Sequence, residues 1–247
     1  MICIPMAGRS KRFLDAGYLK PKFMLDAHGR PLFDWAVCSF TAYFASEPFL
    51  FICLNDREIH QFIEERCTSL GIKNFKVICL DTVTSGQAET CYRGLTSTRC
   101  DTDQRLLIFN IDTIRFNFRF QEFNFEPWGY LECFIGAGDN WSNVISDSNE
   151  PFRVLRTSEK LNESELCCTG AYFFSKAKNF LNDYEEFYLH QPSGSLRELE
   201  TESFVAPMYN NSIEKGRVVK FTIINNSDIV FCGTPSEYQE FCNRHAV

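Results

Sequence analysis

Positive side chains gather just behind the first apolar run of the chain. Ile2–Met6 is followed by Gly8, Arg9, Ser10, Lys11 and Arg12, and then by Lys20 and Lys22. A glycine lets backbone amides approach an anion closely, and a guanidinium grips a phosphate through two parallel hydrogen bonds. The loop therefore reads either as a phosphate grip or as a solvated basic loop. It is neither a Walker A loop nor a G-x-G-x-x-G fingerprint. Asp112, directly after LLIFNI, reads either as a ligand for a divalent cation or as a residue that caps a turn. In TSGQAET, residues 84–90, Ser85 is placed to cap a helix and Gly86 offers a bare Cα to a ligand; a plain helix start is the simpler reading. Ser158-Glu159-Lys160 is, by itself, an ordinary surface pair. Asp228 heads DIVFC, and Gly233-Thr234-Pro235 opens a capped helix.

The elements that must hold these residues follow from apolar spacing. Ile2–Met6, Pro48–Leu54, Phe75–Leu80 and Leu106–Ile111 are apolar throughout and read as strands buried on both faces. Between them fall helices at Pro31–Phe44, which starts at a proline, and at Glu58–Leu70, with apolar residues at Ile59, Phe62, Ile63, Cys67 and Leu70. Gly86–Leu95 is also helical in spacing. Such alternation predicts an α/β fold with a doubly wound, mostly parallel sheet. Ligands of open parallel sheets sit beyond the carboxyl ends of the strands, which selects Gly8–Lys22, Asp81–Gln87 and Asn110–Arg115. The second half changes to shorter, more antiparallel strands at Tyr130–Ile135, Asn143–Ile145, Phe152–Thr157 and Leu166–Phe174. Helices are expected at Lys176–Leu189 and around Leu196–Phe204, then strands at Val218–Ile224 and Asp228–Cys232 and a closing helix at Pro235–Arg244. No linker or repeat interrupts the chain, so residues 1–247 read as one domain.

Composition sets the outer limits. Of 247 residues, 45% are hydrophobic and 23% charged, the profile of a globular protein with a sizeable core. The 25 phenylalanines predict a core rich in aromatic packing. A net charge of -7 argues against bulk nucleic-acid binding, which needs a broad basic face. There is no apolar stretch of the roughly 20 residues that a membrane span needs, and no signal-peptide pattern, so the expected location is the cytoplasm. The 12 cysteines lack C-x-x-C spacing, Cys167-Cys168 being their one close pair, and read as small hydrophobes in a reducing compartment. His28, His60, His190 and His245 form no metal-binding group.

Taken in order, MAGRSKRF, PKFML, SGQAET, IFNIDT, TSEK, TGAYFF and DIVFCGTPSEY resemble the sugar-phosphate nucleotidyltransferases, which make activated sugars or related alcohols. The resemblance runs from Pro5 to Phe241 and is nearest to the short members found in capsule and lipopolysaccharide pathways. It implies a Rossmann-like, GT-A-type sheet carrying an inserted smaller antiparallel substrate-binding part, with residues 1–115 as the nucleotide half and 116–247 as the sugar-phosphate half. By the same resemblance, Ala7 and Gly8 lie against base and ribose, Arg12 holds the triphosphate and Lys22 sits by the phosphates undergoing exchange. Gly86 and Gln87 help to read the base, Asp112 and Asp228 hold Mg2+, and Glu159 and Lys160 engage the second substrate. The implied partners are a nucleoside triphosphate and a sugar-phosphate-like substrate; the oligomeric state stays open, a homo-oligomer included. Two departures stand out: Ser10 replaces a usual second glycine, which predicts a less tightly wound loop, and Ile111 replaces the usual glycine before Asp112.

The reaction so implied is attack by a sugar-phosphate oxygen on the α-phosphorus of the triphosphate, with pyrophosphate leaving. Both reactants are anions, so convergent positive charge, rather than a covalent residue, lowers the barrier. Two other readings compete. A glycosyltransferase on a related sheet typically shows Asp-x-Asp where this chain has Asn110-Ile111-Asp112, and a silent regulatory homologue is expected to lose Lys22 or Asp112. Around the second substrate, residues 136–143 and the stretch near Tyr209 are expected to line the pocket, Trp141 serving there or in the core.

Overall fold

The computed structural model describes residues 1–190 and 202–244, which form two compact units. The first unit comprises Ile2–Val83, Phe109–Arg119 and Ser227–Val247; the second comprises Met1, Thr84–Ile108 and Phe120–Asn226. The chain thus passes back and forth between units instead of dividing at one point.

In the first unit, Ile2–Pro5, Phe49–Leu54 and Phe75–Leu80 pair in parallel, with Ile2 opposite Phe49 and Cys53 opposite Cys79. Strands Ile2–Pro5 and Phe49–Leu54 are almost wholly buried, which is why their sequences are apolar without alternation. Helix Arg57–Leu70 links the second strand to the third. Asp56 Oδ1 caps it by accepting from the amides of Glu58 (2.8 Å) and Ile59 (3.1 Å), and Gly71, at φ 79°, ends it. The helix expected at Pro31–Phe44 is instead an α-helix at Leu32–Val37 followed by tighter turns at Cys38–Tyr43. Phe40 leaves helical geometry there (φ -109°, ψ 22°), and its ring packs edge-on against Phe109 at 4.7 Å and Phe118 at 4.8 Å. The abundant phenylalanines do build the core.

The fourth apolar run is a strand only over Leu106–Phe109, because Asn110 turns the chain by accepting from the Thr113 amide at 3.2 Å. An unforeseen antiparallel ribbon follows. Thr113–Arg115 pairs with Ile229–Phe231, Thr113 facing Phe231 and Arg115 facing Ile229. Ile114, Val230, Cys232 and Phe241 pack together beneath it. Helix Pro235–Asn243 closes this unit and carries the anticipated cap: the Glu237 amide donates to Thr234 Oγ1, and the Thr234 amide to Glu237 Oε2.

The second unit holds the antiparallel strands. Leu166–Phe174 pairs with Gly129–Ile135, bulging between Cys168 and Tyr172 where Gly170 takes φ 90°, and Ser142–Ser146 pairs with Val154–Glu159. Val219–Ile223 adds a parallel neighbour to Gly129–Ile135. Helices run at Gln87–Ser97, at Ala177–Tyr184 with a wider turn at Glu185–Leu189, and at Tyr209–Glu214. Of the helix expected around Leu196–Phe204, the part up to residue 201 lies outside the described residues, and Glu202–Phe204 are not helical. Within the stretch near Tyr209, the tyrosine itself is a core residue. Its ring is fully buried, stacks on Phe174 at 4.6 Å and donates its hydroxyl to the Phe173 carbonyl at 2.7 Å.

All twelve cysteines are free, most of them buried. Burial pushes the thiols of Cys53, Cys67 and Cys232 up to about 12, which suits inert core residues. No helix among the described residues is long and apolar enough to cross a membrane.

Candidate active site

The basic loop is wound more tightly than its sequence suggested. Ser10 adopts the left-handed conformation (φ 51°, ψ 38°), so serine keeps the backbone that a glycine would favour. A short helix, Lys11–Asp15, starts directly after it and presents Arg12 to solvent. Phe13 anchors that helix, buried and edge-on to Tyr18 at 5.4 Å and Tyr238 at 6.1 Å. The Ser10 hydroxyl accepts from the Lys22 amide at 3.3 Å, which ties the two ends of the loop together. Gly8 lies open, with no atom within 4 Å of the place a Cβ would take, while Ala7 is buried behind it. A cleft of about 150 Å³ runs beside Gly8 and Arg9, walled by Leu14, Leu19 and Phe23.

Lys22 begins a single tight helical turn, Lys22–Met24, whose Phe23 is buried. From there its Nζ donates to Asp112 Oδ2 at 2.5 Å, each side chain being 22% exposed. Asp112 itself is fixed by the ribbon, its carbonyl accepting from the Cys232 amide at 2.8 Å. A Cβ built on Gly233 would stand 3.0 Å from Asp112 Oδ2 and 3.6 Å from Glu237 Oε2, so the bare glycine keeps this position from crowding the oxygen that Lys22 holds. Among the described residues no group of three or more His, Cys, Asp or Glu side chains gathers to hold a metal ion, so a divalent cation here would draw most of its ligands from phosphates and water. A single carboxylate, Asp112, is of the type that fits Mg2+ in that way.

Asp228 does not join this pair. Its carbonyl accepts from the Phe116 amide at 2.8 Å, whereas Cys232, at the other end of the same strand, meets Asp112. Strands rise about 3.3 Å per residue, so the run from Asp112 to Phe116 covers about 13 Å. Carboxylates sharing one Mg2+ must each come within about 2.1 Å of it. Asp112 and Asp228 each head a strand, and antiparallel pairing sends strand heads to opposite ends. A carboxylate that does lie near Asp112, across Gly233, is Glu237, which the sequence alone does not single out.

Gly86, Gln87, Glu159 and Lys160 belong to the second unit. Gly86 is extended (φ 171°) and pressed against the chain itself: an added Cβ would meet Ser203 O at 2.5 Å and Ser203 N at 2.6 Å. Its missing side chain therefore admits Ser203 rather than a ligand. Ser203 also caps the helix, its carbonyl accepting from the Ala88 amide (2.9 Å) and its Oγ from the Glu89 amide (3.2 Å). Ser85 is not the cap. Its amide and hydroxyl donate to Glu89 Oε2 at 2.6 and 2.7 Å. Gln87 is half-buried in the first turn. Glu159 accepts from the Ser142 hydroxyl. Lys160 has a left-handed backbone (φ 55°), pinned by its amide to the Trp141 carbonyl at 3.0 Å, and its Nζ donates to Glu202 Oε2 at 3.3 Å. Trp141 is half-buried and packs edge-on against Phe134 at 5.1 Å.

No protein-family model and no curated protein matches the chain. Solved structures do. Inositol-1-phosphate CTP transferase from T. maritima is 14% identical over 100% of this chain and 97% of its own, with a TM-score of 0.72. UDP-glucose pyrophosphorylase from Acinetobacter baumannii is 15% identical over 98% and 91%, with a TM-score of 0.67. At such identities the likeness is one of fold: both share this α/β, Rossmann-like architecture. The nucleoside-diphosphate-sugar pyrophosphorylase from Vibrio cholerae RC9 is 44% identical, covering 99% of this chain and 100% of that one, with a TM-score of 0.93. The chain belongs to this family of sugar-phosphate nucleotidyltransferases, as its ordered motifs anticipate.

Proposed function

We propose that this protein transfers a nucleoside monophosphate from a nucleoside triphosphate to a sugar phosphate or polyol phosphate. A phosphate oxygen of the acceptor forms a bond to the α-phosphorus, and the bond to pyrophosphate breaks. The observation that carries the reading is the contact between Lys22 and Asp112 at 2.5 Å, which puts an ammonium and a cation-binding carboxylate at one point beside the basic loop. The 44% identity to a nucleoside-diphosphate-sugar pyrophosphorylase supports it.

Each residue then has a task set by its chemistry. Arg12, exposed on its short helix, and Lys22 neutralise the triphosphate, while the open Gly8 and its neighbour Ala7 lie along the nucleoside. Mg2+ on Asp112 would add charge neutralisation at the phosphate oxygens. Lys160 takes the phosphate of the acceptor, and Glu159 contacts its sugar. Gln87 contributes its side-chain amide to base recognition, and Gly86 acts by holding the Ser203 segment in place. The attacking phosphate is already ionised, so the step needs positioning and charge more than a general base.

Pyrophosphate release over the common nucleoside triphosphates, crossed with sugar and polyol phosphates in the presence of Mg2+, tests the reading. Release that requires one triphosphate and one acceptor together is the expected result. Silence from every pair, with nucleoside diphosphate released from an activated sugar, would mark a glycosyltransferase and overturn it.

A further inference from the structure

The Lys160 ammonium is already engaged on two sides. Glu202 Oε2 lies 3.3 Å from its Nζ, and the Phe204 ring lies 4.3 Å from it. The pair is exposed, 44% for Lys160 and 51% for Glu202, and an exposed pair of this kind adds little to folding. Nor does the segment need Glu202 to stay in place. Ser203 is locked onto the Gln87–Ser97 helix by hydrogen bonds to the Ala88 and Glu89 amides and by the Ser85 hydroxyl at 3.0 Å. The Phe204 carbonyl accepts from the Tyr188 hydroxyl at 2.8 Å. A rigid anchor thus carries a carboxylate to the one ammonium assigned to the acceptor's phosphate, where a like charge opposes that phosphate.

We propose that Glu202 is a specificity-determining residue of the acceptor site, its carboxylate holding the Lys160 ammonium until a phosphate group displaces it. The inference rests on the role given to Lys160 above. A phosphate monoester, close to a dianion at neutral pH, outcompetes a single carboxylate for the ammonium. A sugar without phosphate leaves the Lys160–Glu202 pair intact. Phe204 keeps the ammonium in position throughout the exchange, since its ring face attracts the cation whichever anion is present.

Inorganic phosphate is the probe, its binding followed by titration calorimetry on the full chain and on Glu202→Gln, Lys160→Ala and the double variant. Glu202→Gln is expected to bind phosphate about fivefold more tightly, the scale of one exposed charge contact. Lys160→Ala should lose that binding, and Glu202→Gln added to it should change little. In turnover, Glu202→Gln should lower KM for the acceptor phosphate, with kcat and the triphosphate KM unaltered. Equal or weaker phosphate binding by Glu202→Gln, while Lys160→Ala still loses it, overturns the role of Glu202 alone. Phosphate affinity untouched in Lys160→Ala removes Lys160 from the acceptor site, and this inference with it.

Discussion

Lys22 Nζ and Asp112 Oδ2 meet at 2.5 Å although 90 residues of chain separate them. Neither element alone fixes the contact. Lys22 is held by the buried Phe23 beside it and by its own amide on Ser10, and Asp112 by the turn and ribbon that follow Phe109. An ammonium and a divalent cation cannot both take the same carboxylate oxygen at full strength. Under the proposed reaction, a metal-bound polyphosphate would divide these two groups, the carboxylate to the cation and the ammonium to a phosphate.

The ribbon register separates the two aspartates in their dependence on metal. Asp112→Asn is expected to raise the Mg2+ concentration needed for half-maximal pyrophosphate release by at least about tenfold, because it removes the carboxylate that fits the cation. Asp228→Asn, at the far end of the ribbon, should leave that concentration within about twofold of wild type. An equal rise in both variants would contradict the placement.

Gly86→Ala should destabilise the protein by about 1–3 kcal/mol, since the new methyl would overlap backbone atoms that have no side-chain freedom to yield. The clash is with Ser203 O at 2.5 Å and Ser203 N at 2.6 Å. Denaturant titration gives the value. A melting curve matching wild type would mean that the Ser203 segment is not held against the helix start.

Much of this was legible in the sequence, for identifiable reasons. Ile2–Pro5 and Phe49–Leu54 are readable because burial on both faces leaves little but apolar side chains, whereas Phe75–Leu80, expected to be buried throughout, is only partly buried and exposes Lys76. Lys22 and Asp112 stand out as charged residues beyond strand ends, and their roles come from the resemblance of the ordered motifs to the sugar-phosphate nucleotidyltransferases. What escaped depends on distant partners. The strands Thr113–Arg115 and Ile229–Phe231 are too short to show a period, and only their register reveals that Asp228 lies at the opposite end of the ribbon from Asp112. The helix cap at Gly86 comes from Ser203, 114 residues on from the Glu89 amide it accepts from, whereas the local sequence offers only Ser85. Serine type gives no sign that Ser10 would accept a left-handed backbone. The break at Phe40 follows from rings of Phe109 and Phe118 that no local window contains.

Asp183 supplies a pH signature unrelated to catalysis. Its carboxylate is fully buried and accepts from Trp128 Nε1 at 2.8 Å and Ser212 Oγ at 2.7 Å, with Arg217 at 3.4 Å. Burial outweighs these partners and raises its pKa above the usual carboxylate range. The folded state therefore holds this proton more tightly than the unfolded chain. Its contribution to stability is complete below the unfolded value of about 3.9 and is lost as pH climbs through the raised folded value. Asp183→Asn lacks this term, so any advantage of wild type over the variant should shrink as pH rises above about 4. Thermal melts of both proteins across that range check it, and a gap that does not vary with pH would contradict it.

The most direct test of the account is pyrophosphate release by Lys22→Ala beside wild type, with the triphosphate and acceptor that wild type uses and Mg2+ saturating. Loss of one positioned charge from the transition state predicts a fall in turnover of about 10²–10⁴-fold, the variant still folding as a monophasic unit in thermal melts. Turnover within a few-fold of wild type would show that the ammonium facing Asp112 does not act on the phosphates, and the assignment of the site would fall.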